Sequence, residues 1–285
     1  MTRYDYFKPG TLAEAFALSA GDGGARFIAG GTDLMIRIRG KEVLPKALIS
    51  LRNIKEIAGV TTDGGGARIG AATTIADIAR HAEIGKRFPV LVQAARRVGG
   101  PAIRNAGTVG GNLCNASPCA DTVLPLLVLE ARLRIESARG SREIQLAELF
   151  SGPRTTSLAP GEIVTHVILP APSPTAKALF LKKGRVMMDL SVVSVAVLLE
   201  LEGDTCAKAR VAAGSVAPTP IRLPEAEALL TGRRLTEDVV AAASEAAMRG
   251  VSPITDVRST AEYRRHIVGV YLKRAVAGLL GRVTA

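Results

Sequence analysis

Two glycine pairs are the residues of this chain best suited to chemistry. The first lies in Ala29-Gly30-Gly31-Thr32-Asp33-Leu34, between a short apolar run, Arg26–Ala29, and a helical stretch, Asp33–Arg39. Paired glycines let a backbone approach a ligand without a Cβ clash, and their consecutive N–H groups can converge on an anion. A helix beginning at Asp33 aims its positive end at the same place, and the Thr32 hydroxyl can add a hydrogen bond. The same residues also suit an ordinary strand–helix turn, and spacing alone favours that simpler reading. The second pair lies in Thr108-Val109-Gly110-Gly111-Asn112, with a hydroxyl on one side and an amide on the other. Asp121, thirteen residues after Thr108, offers a carboxylate to sugar-like hydroxyls, or else an N-cap for a helix over Val123–Leu129. One such loop says little. Two, each able to grip a phosphate, point to a diphosphate ligand.

Other chemistries find no support. The sequence has no G-x-G-x-x-G and no G-x-x-x-x-G-K-[ST], which argues against an ordinary Rossmann site and a P-loop. His81, His166 and His266 are isolated, and no cysteine pair has zinc spacing. With three cysteines, Cys114, Cys119 and Cys206, a four-cysteine iron–sulfur site is impossible, and all three are expected to be packed thiols and not metal ligands. No nucleophile or general base stands out.

The elements that must position the loops are short. Arg3–Phe7 reads as a strand. Thr11 and Glu14 form a capping box before the helix LAEAFALSA, and Gly21–Gly24 reads as a turn. With Arg26–Ala29, Asp33–Arg39 and the strand Ala47–Ser50, the opening is a β-α-β-α-β unit. A second unit holds a strand at Ala67–Ala71, a helix starting near Thr74, and a helix Pro89–Val98 opened by its proline. Then come the glycine-rich crossing, a hairpin of Arg132–Glu136 and Glu143–Gln145, and a strand Ile163–Leu169. The APSP stretch, Ala171–Pro174, is the best linker. Beyond it Ala178–Lys182, Val192–Leu201 and Arg210–Ala213 read as strands, followed by helices Pro224–Leu230, Glu237–Met248 and Ala261–Leu280.

Composition is that of a globular chain with ample core: 285 residues, 47% hydrophobic and 22% charged. The net charge of +11 is spread in ones and twos, without a long basic run. Aromatics are 4% and tryptophan is absent, so a nucleic-acid platform is not expected. The odd cysteine count fits a reducing compartment, the first residues carry no apolar signal segment, and no apolar run is long enough to span a bilayer. The expected location is cytoplasmic.

The segments AGGTDL (29–34), IRNAGTVGGNLCNASPCAD (103–121), SGPRTTSLAPGEIVTHVILP (151–170), GSVAPTPIR (214–222) and SPITDVRSTAEYRRHIVGVYLKRA (252–275) are similar, in order, to the FAD-binding medium subunits of the xanthine dehydrogenase, carbon monoxide dehydrogenase and aldehyde oxidase family of molybdenum hydroxylases. The resemblance covers essentially the whole chain. It implies an α+β fold: a two-subdomain FAD-binding domain of the PCMH, vanillyl-alcohol-oxidase-like type over 1–174, with subdomains of about 1–55 and 56–174. A small domain over 175–285 follows, with a three-stranded antiparallel sheet and helices.

By position, the resemblance assigns FAD contacts to Phe27, Ile28, Ala29, Gly30, Gly31, Thr32, Asp33 and Leu34, with Gly30, Gly31 and Thr32 at the diphosphate. It assigns a second segment to Thr108, Val109, Gly110, Gly111 and Asn112, and an FAD-binding carboxylate to Asp121. It places Val164 near the isoalloxazine through its backbone, and Lys182 near the flavin, where a cation would raise the flavin's potential. Val98 stands where relatives place an aromatic residue, and KKGRVMMD (182–189) lacks the paired arginines common among them. The resemblance implies FAD on this chain, with the molybdenum cofactor and [2Fe-2S] clusters on partner chains. Those partners are a large and a small subunit, assembled as a dimer of heterotrimers, with no nucleic acid and no membrane. Electrons would pass from the clusters through the flavin to NAD⁺, oxygen, a quinone or another carrier. A free-standing FAD oxidoreductase and a non-catalytic nucleotide-binding partner remain as alternatives.

Overall fold

A computed structural model describes residues 3–21 and 23–282. The turn read over Gly21–Gly24 therefore falls in part outside the described residues, as do the last three residues of the C-terminal segment.

The opening β-α-β-α-β unit forms as expected. Its sheet is parallel, with Ala47–Ser50 between Asp5–Phe7 and Ala25–Ile28. The first crossover is the helix Leu12–Gly21. Thr11 Oγ1 accepts from the Glu14 N–H at 3.2 Å, and the Glu14 carboxylate accepts from the Gly10 N–H at 2.7 Å, so two otherwise orphaned amides are satisfied. That fixes the helix start and turns Leu12, Ala15 and Phe16 onto Ile49, Ile54 and Ile57.

The second unit is a five-stranded antiparallel sheet in the order Val60–Asp63, Gly66–Gly70, Ile163–Leu169, Arg132–Ser137, Gly140–Gln145. Ile163–Leu169 lies at its centre and reads as an apolar run because both of its faces are covered. Several helices are packed against this sheet. Ile75–Arg80 begins at Thr74, whose side chain caps the Asp77 N–H, and Pro89–Arg97 begins with its proline. The strand Val60–Asp63 and the six-residue helices Ala82–Arg87, Pro101–Ala106 and Val109–Cys114 have no counterpart in the sequence reading. Each is too short to show a period.

The C-terminal part is built on three long antiparallel strands, Ala176–Lys183, Val193–Glu202 and Thr205–Gly214. Two-residue strands at Ile221–Arg222 and Arg233–Arg234 extend it. The middle strand divides its side chains by the two-residue period of a pleated chain. Val193, Val195, Val197, Leu199 and Leu201 face a core shared with helices Pro224–Leu230, Glu237–Arg249 and Ala261–Leu279. Ala196 and Leu198, on the other face, join Phe180 and Ala212 in the core of the N-terminal part. The sheet is therefore a wall between two cores. Arg210, 8% exposed, reinforces the junction by reaching Glu130 at 2.6 Å and Glu200 at 3.3 Å.

The glycine-rich crossing is mounted on the second sheet through Gly110. A Cβ there would stand 2.6 Å from the Ala71 Cβ and 2.8 Å from its carbonyl oxygen, and the Gly110 N–H already donates to that carbonyl. No side chain fits between the two backbones. Gly110→Ala is expected to destabilise the fold by roughly 1–3 kcal/mol or more, as overpacking of a rigid contact does. A urea unfolding midpoint equal to that of the unmodified protein would contradict this.

Candidate functional site

The first glycine loop leaves the strand Ala25–Ile28 and turns at Gly31, whose φ of +71° lies in the left-handed region. Gly30 has a different reason to be glycine. A Cβ there would fall 2.0 Å from the Ala106 carbonyl oxygen, so the 106–107 backbone lies directly against it. The carbonyls of Gly31 and Asp33 accept from Met35, Ile36 and Arg37 and start the helix Leu34–Arg39. Among the described residues, no hydrogen bond engages the backbone N–H groups of Gly30, Gly31, Thr32 or Asp33. Asp33 caps nothing with its side chain, which instead accepts from the Thr32 hydroxyl at 3.3 Å. A run of unpartnered amides is a ready acceptor of anionic oxygen.

The second glycine segment differs from expectation. It is no open loop: Thr108 is the N-cap of the helix Val109–Cys114 and accepts the Gly111 N–H at 3.0 Å. The three amides of Val109, Gly110 and Asn112 are engaged too, with Thr73 O, Ala71 O and Thr108 O. Four of its five backbone amides are therefore spent within the protein, where the first loop keeps a run of four free. What it offers is the Asn112 side chain. The Thr122 hydroxyl donates to Asn112 Oδ1 at 2.6 Å, which sets the amide's orientation and leaves Nδ2 as a donor. The two segments are neighbours: a Cβ on Gly111 would stand 3.9 Å from Ala29 Cβ, and one on Gly107 would stand 3.6 Å from Thr32 Oγ1.

Cys114, one helical turn beyond Gly111, is exposed, whereas Cys119 is half-buried and Cys206 buried. The expectation of three packed thiols thus holds for Cys206 and fails for Cys114. Burial among surrounding atoms nevertheless pushes the Cys114 thiol up to about 12.

Asp121 and Lys182, 61 residues apart, meet at the junction of the two parts. Lys182 Nζ lies 2.6 Å from Asp121 Oδ2 and also donates to the Arg97 carbonyl at 3.0 Å. Both side chains are almost wholly buried, at 2% and 6% exposed. Asp121 is not the cap of the following helix; Thr122 holds that position, without a side-chain capping bond. Burial pushes the Asp121 carboxyl up to about 6, against the opposing pull of Lys182 and Arg97. Its Oδ1 is buried without a hydrogen-bond partner.

The other predicted residues occupy two places. Phe27 and Leu34 are half-buried and Ile28 is buried, the first packed on one small core of the parallel sheet and the other two on a second. Val98, half-buried, ends the helix Pro89–Arg97, and its carbonyl is held by Arg104 at 3.0 Å. Val164 is buried beside a bulge between Val164 and His166, and its side chain shares a core with Val109 and Leu113 of the glycine helix. Three contributors escaped the sequence reading. Arg97 belongs to no motif, yet its carbonyl anchors Lys182. Thr122 was hidden by the attention its neighbour Asp121 attracts. Ala106, without polar side chain or glycine, carried no signal at all.

Comparison with known proteins places this geometry. Residues 2–172 match the family described as the FAD binding domain in molybdopterin dehydrogenase, and residues 179–279 match the CO dehydrogenase flavoprotein C-terminal domain. The chain is 33% identical to the xanthine dehydrogenase FAD-binding subunit of Escherichia coli O157:H7 over 276 residues, 95% of this chain and 94% of that one. It is 32% identical to the nicotine 6-hydroxylase medium subunit of Paenarthrobacter nicotinovorans, covering 95% of each. A chain of the carbon monoxide dehydrogenase of Hydrogenophaga pseudoflava superposes with a TM-score of 0.95 at 30% identity over 99% of both chains.

The buried pair makes a signed prediction. Asp121 binds its proton more tightly in the fold, near pH 6, than in an unfolded chain near 3.8. Its contribution to stability is then complete below about pH 4 and is lost as pH rises through about 6. Urea unfolding across that range should show this decline in the unmodified protein and not in Asp121→Asn; parallel curves would refute the assignment. Lys182→Met strands the carboxylate and should cost roughly 3–5 kcal/mol at neutral pH.

Proposed function

Because the chain belongs to the family of FAD-binding subunits of the molybdenum hydroxylases, we propose that it carries electrons, within a heteromeric complex, from the [2Fe-2S] clusters of a small subunit to an external acceptor. FAD, when bound, supplies the electron-accepting and electron-donating chemistry. The task of this chain is to bind it, orient it and set the charge around it.

The observation that carries the reading is the run of four unpartnered backbone amides, Gly30 to Asp33, in a loop that Gly107 and Gly111 adjoin, with Asn112 next in the chain. Such donors fit the two anionic phosphates of a dinucleotide. Gly30, Gly31 and Thr32 hold the diphosphate, with Phe27, Ile28, Ala29, Asp33 and Leu34 completing that wall. Val109 and Gly110, whose backbone N–H groups are engaged within the protein, act with the N-cap Thr108 as the rigid mount that presents Gly111 and Asn112. Val98 and Val164 border the ring system. Asp121 meets the cofactor through Oδ1, the oxygen its own chain leaves without a partner, and Lys182 keeps that carboxylate in place. The buried cation and the carboxylate titrating near pH 6 then act on the flavin as a pair, and the local charge depends on the Asp121 proton.

The division into 1–174 and 175–285, with subdomains of about 1–55 and 56–174, is proposed with it, supported by the separate sheets of the two N-terminal parts. The partners are proposed to be a large molybdenum-cofactor subunit and the small [2Fe-2S] subunit, as a dimer of heterotrimers. Relatives named as medium chains or as a complex subunit support this. Among the described residues no helix is long and apolar enough to cross a membrane. A cytoplasmic location is proposed on the odd cysteine count.

The test is purification under native conditions. A yellow complex with flavin absorption and two co-purifying chains is expected. Asn112→Ala should weaken FAD binding about tenfold, the effect of one lost hydrogen bond of about 1.4 kcal/mol. A colourless chain that arrives alone would overturn the reading.

A further inference from the structure

Outside the cleft, helices Ile75–Arg80, Pro89–Arg97 and Pro101–Ala106 meet around a hollow of about 310 Å³. Its floor is small and apolar, formed by Ala76, Ala79 and Pro101. Its walls are Arg80, Arg96, Arg104 and Asn105, and no acidic residue lines it. Nearby carboxylates are committed elsewhere. Asp77 accepts from the Thr74 hydroxyl at 2.6 Å, and Glu83 pairs with Lys86 and Arg87.

The three guanidinium groups are held by neutral acceptors. Arg80 donates to Ala76 O at 3.2 Å and to Asn105 Oδ1 at 3.1 Å. Arg96 donates to Ala79 O at 3.3 Å, and Arg104 donates to Gly99 O at 2.7 Å and Val98 O at 3.0 Å. Among the described residues, none of the three forms an ion pair with a carboxylate. With its oxygen occupied by Arg80, Asn105 has Nδ2 left as a donor. The hollow is thus all donors, preorganised, with three positive charges uncompensated.

We propose that this hollow binds a compact polyanion of the phosphate class, the phosphate ester or diphosphate group of a small molecule. Planar guanidinium forks match phosphate oxygens two at a time, and three of them around one hollow match a group carrying two or three charges at one point. The acidic side chain of a docking protein brings one charge and leaves most of this uncompensated. The site is distinct from the dinucleotide cleft. Pro101, Arg104 and Asn105 lie three and four residues apart, on one face of their helix, and no residue of Gly30–Asp33 or Thr108–Asn112 lines the hollow. The hollow therefore offers this chain a second phosphate-bearing ligand.

Pyrophosphate is the probe. Titrated calorimetrically into the purified protein at low salt, it should bind saturably. The Arg80→Gln/Arg96→Gln double variant should lose at least tenfold in affinity, with flavin content and melting temperature unchanged. If that variant fails to fold, Arg80→Lys/Arg96→Lys keeps the charge but removes the forks, and should still lose several-fold. Absence of saturable binding to the unmodified protein, or equal affinity in a folded variant, would overturn the proposal. So would release of flavin in step with pyrophosphate uptake, which would put the anion in the dinucleotide cleft. Burial of the hollow on assembly with co-purifying chains, with pyrophosphate unable to compete, would assign it to an acidic partner surface instead. A colourless protein that still binds pyrophosphate through Arg80 and Arg96 would retain this site while removing the flavin reading.

Discussion

Everything at the candidate site follows from how closely the backbone at Ala106 and Gly107 approaches Gly30. The 2.0 Å that would separate a Gly30 Cβ from the Ala106 oxygen is less than any side chain can survive. The contact clamps the small parallel sheet of the first part to the helices of the second. It also determines which amides remain free. With the 106–107 chain packed on Gly30, the loop from Gly30 to Asp33 can neither continue the strand nor be drawn into the next helix, and its N–H groups stay unpartnered. The second glycine pair serves the same end from the other side. Gly110 seats its helix on Ala71, and that seating brings Gly111 and Asn112 to the first loop.

The second constraint is electrostatic. A carboxylate and an ammonium both withdrawn from water are costly unless they meet, and here they meet across the boundary between the two parts. Lys182 is tied further by the Arg97 carbonyl, and Asp121 is flanked by Thr122, whose hydroxyl orients Asn112. Charge pair, cap and amide thus form one connected unit from the C-terminal sheet to the glycine helix. Burial raises the Asp121 carboxyl against the pull of Lys182 and Arg97, and the same withdrawal from water leaves Oδ1 without a partner.

The sheet that carries Lys182 is a wall with a core on each side, and this explains its unusual composition. Val195 to Leu199 is apolar on both faces because helices cover one and the N-terminal core covers the other. Arg210 lies almost buried in that wall, paired with Glu130 and Glu200, while the arginines of the outer hollow pair with no carboxylate among the described residues. The contrast separates structural from unsatisfied charge within one basic protein.

Much of this was legible in the residues. The capping box at Thr11 and Glu14, the proline at the head of Pro89–Arg97, the hairpin around Gly140 and the alternation of the long C-terminal strands depend on local chemistry and on a period. A sequence displays both. The order of its motifs was enough to identify the family. Glycine pairing also marked where a backbone would be approached closely, but not by what. Only the tertiary structure decided that Gly30 and Gly110 are approached by other segments of the same chain. It likewise decided that the amides of Val109 to Asn112 are spent within the protein, and that Asp121 faces Lys182 instead of capping a helix. These outcomes depend on contacts between residues dozens of positions apart. Hydrogen bonds and charges are apportioned by where the chain returns in space, and no local pattern of residue types records that.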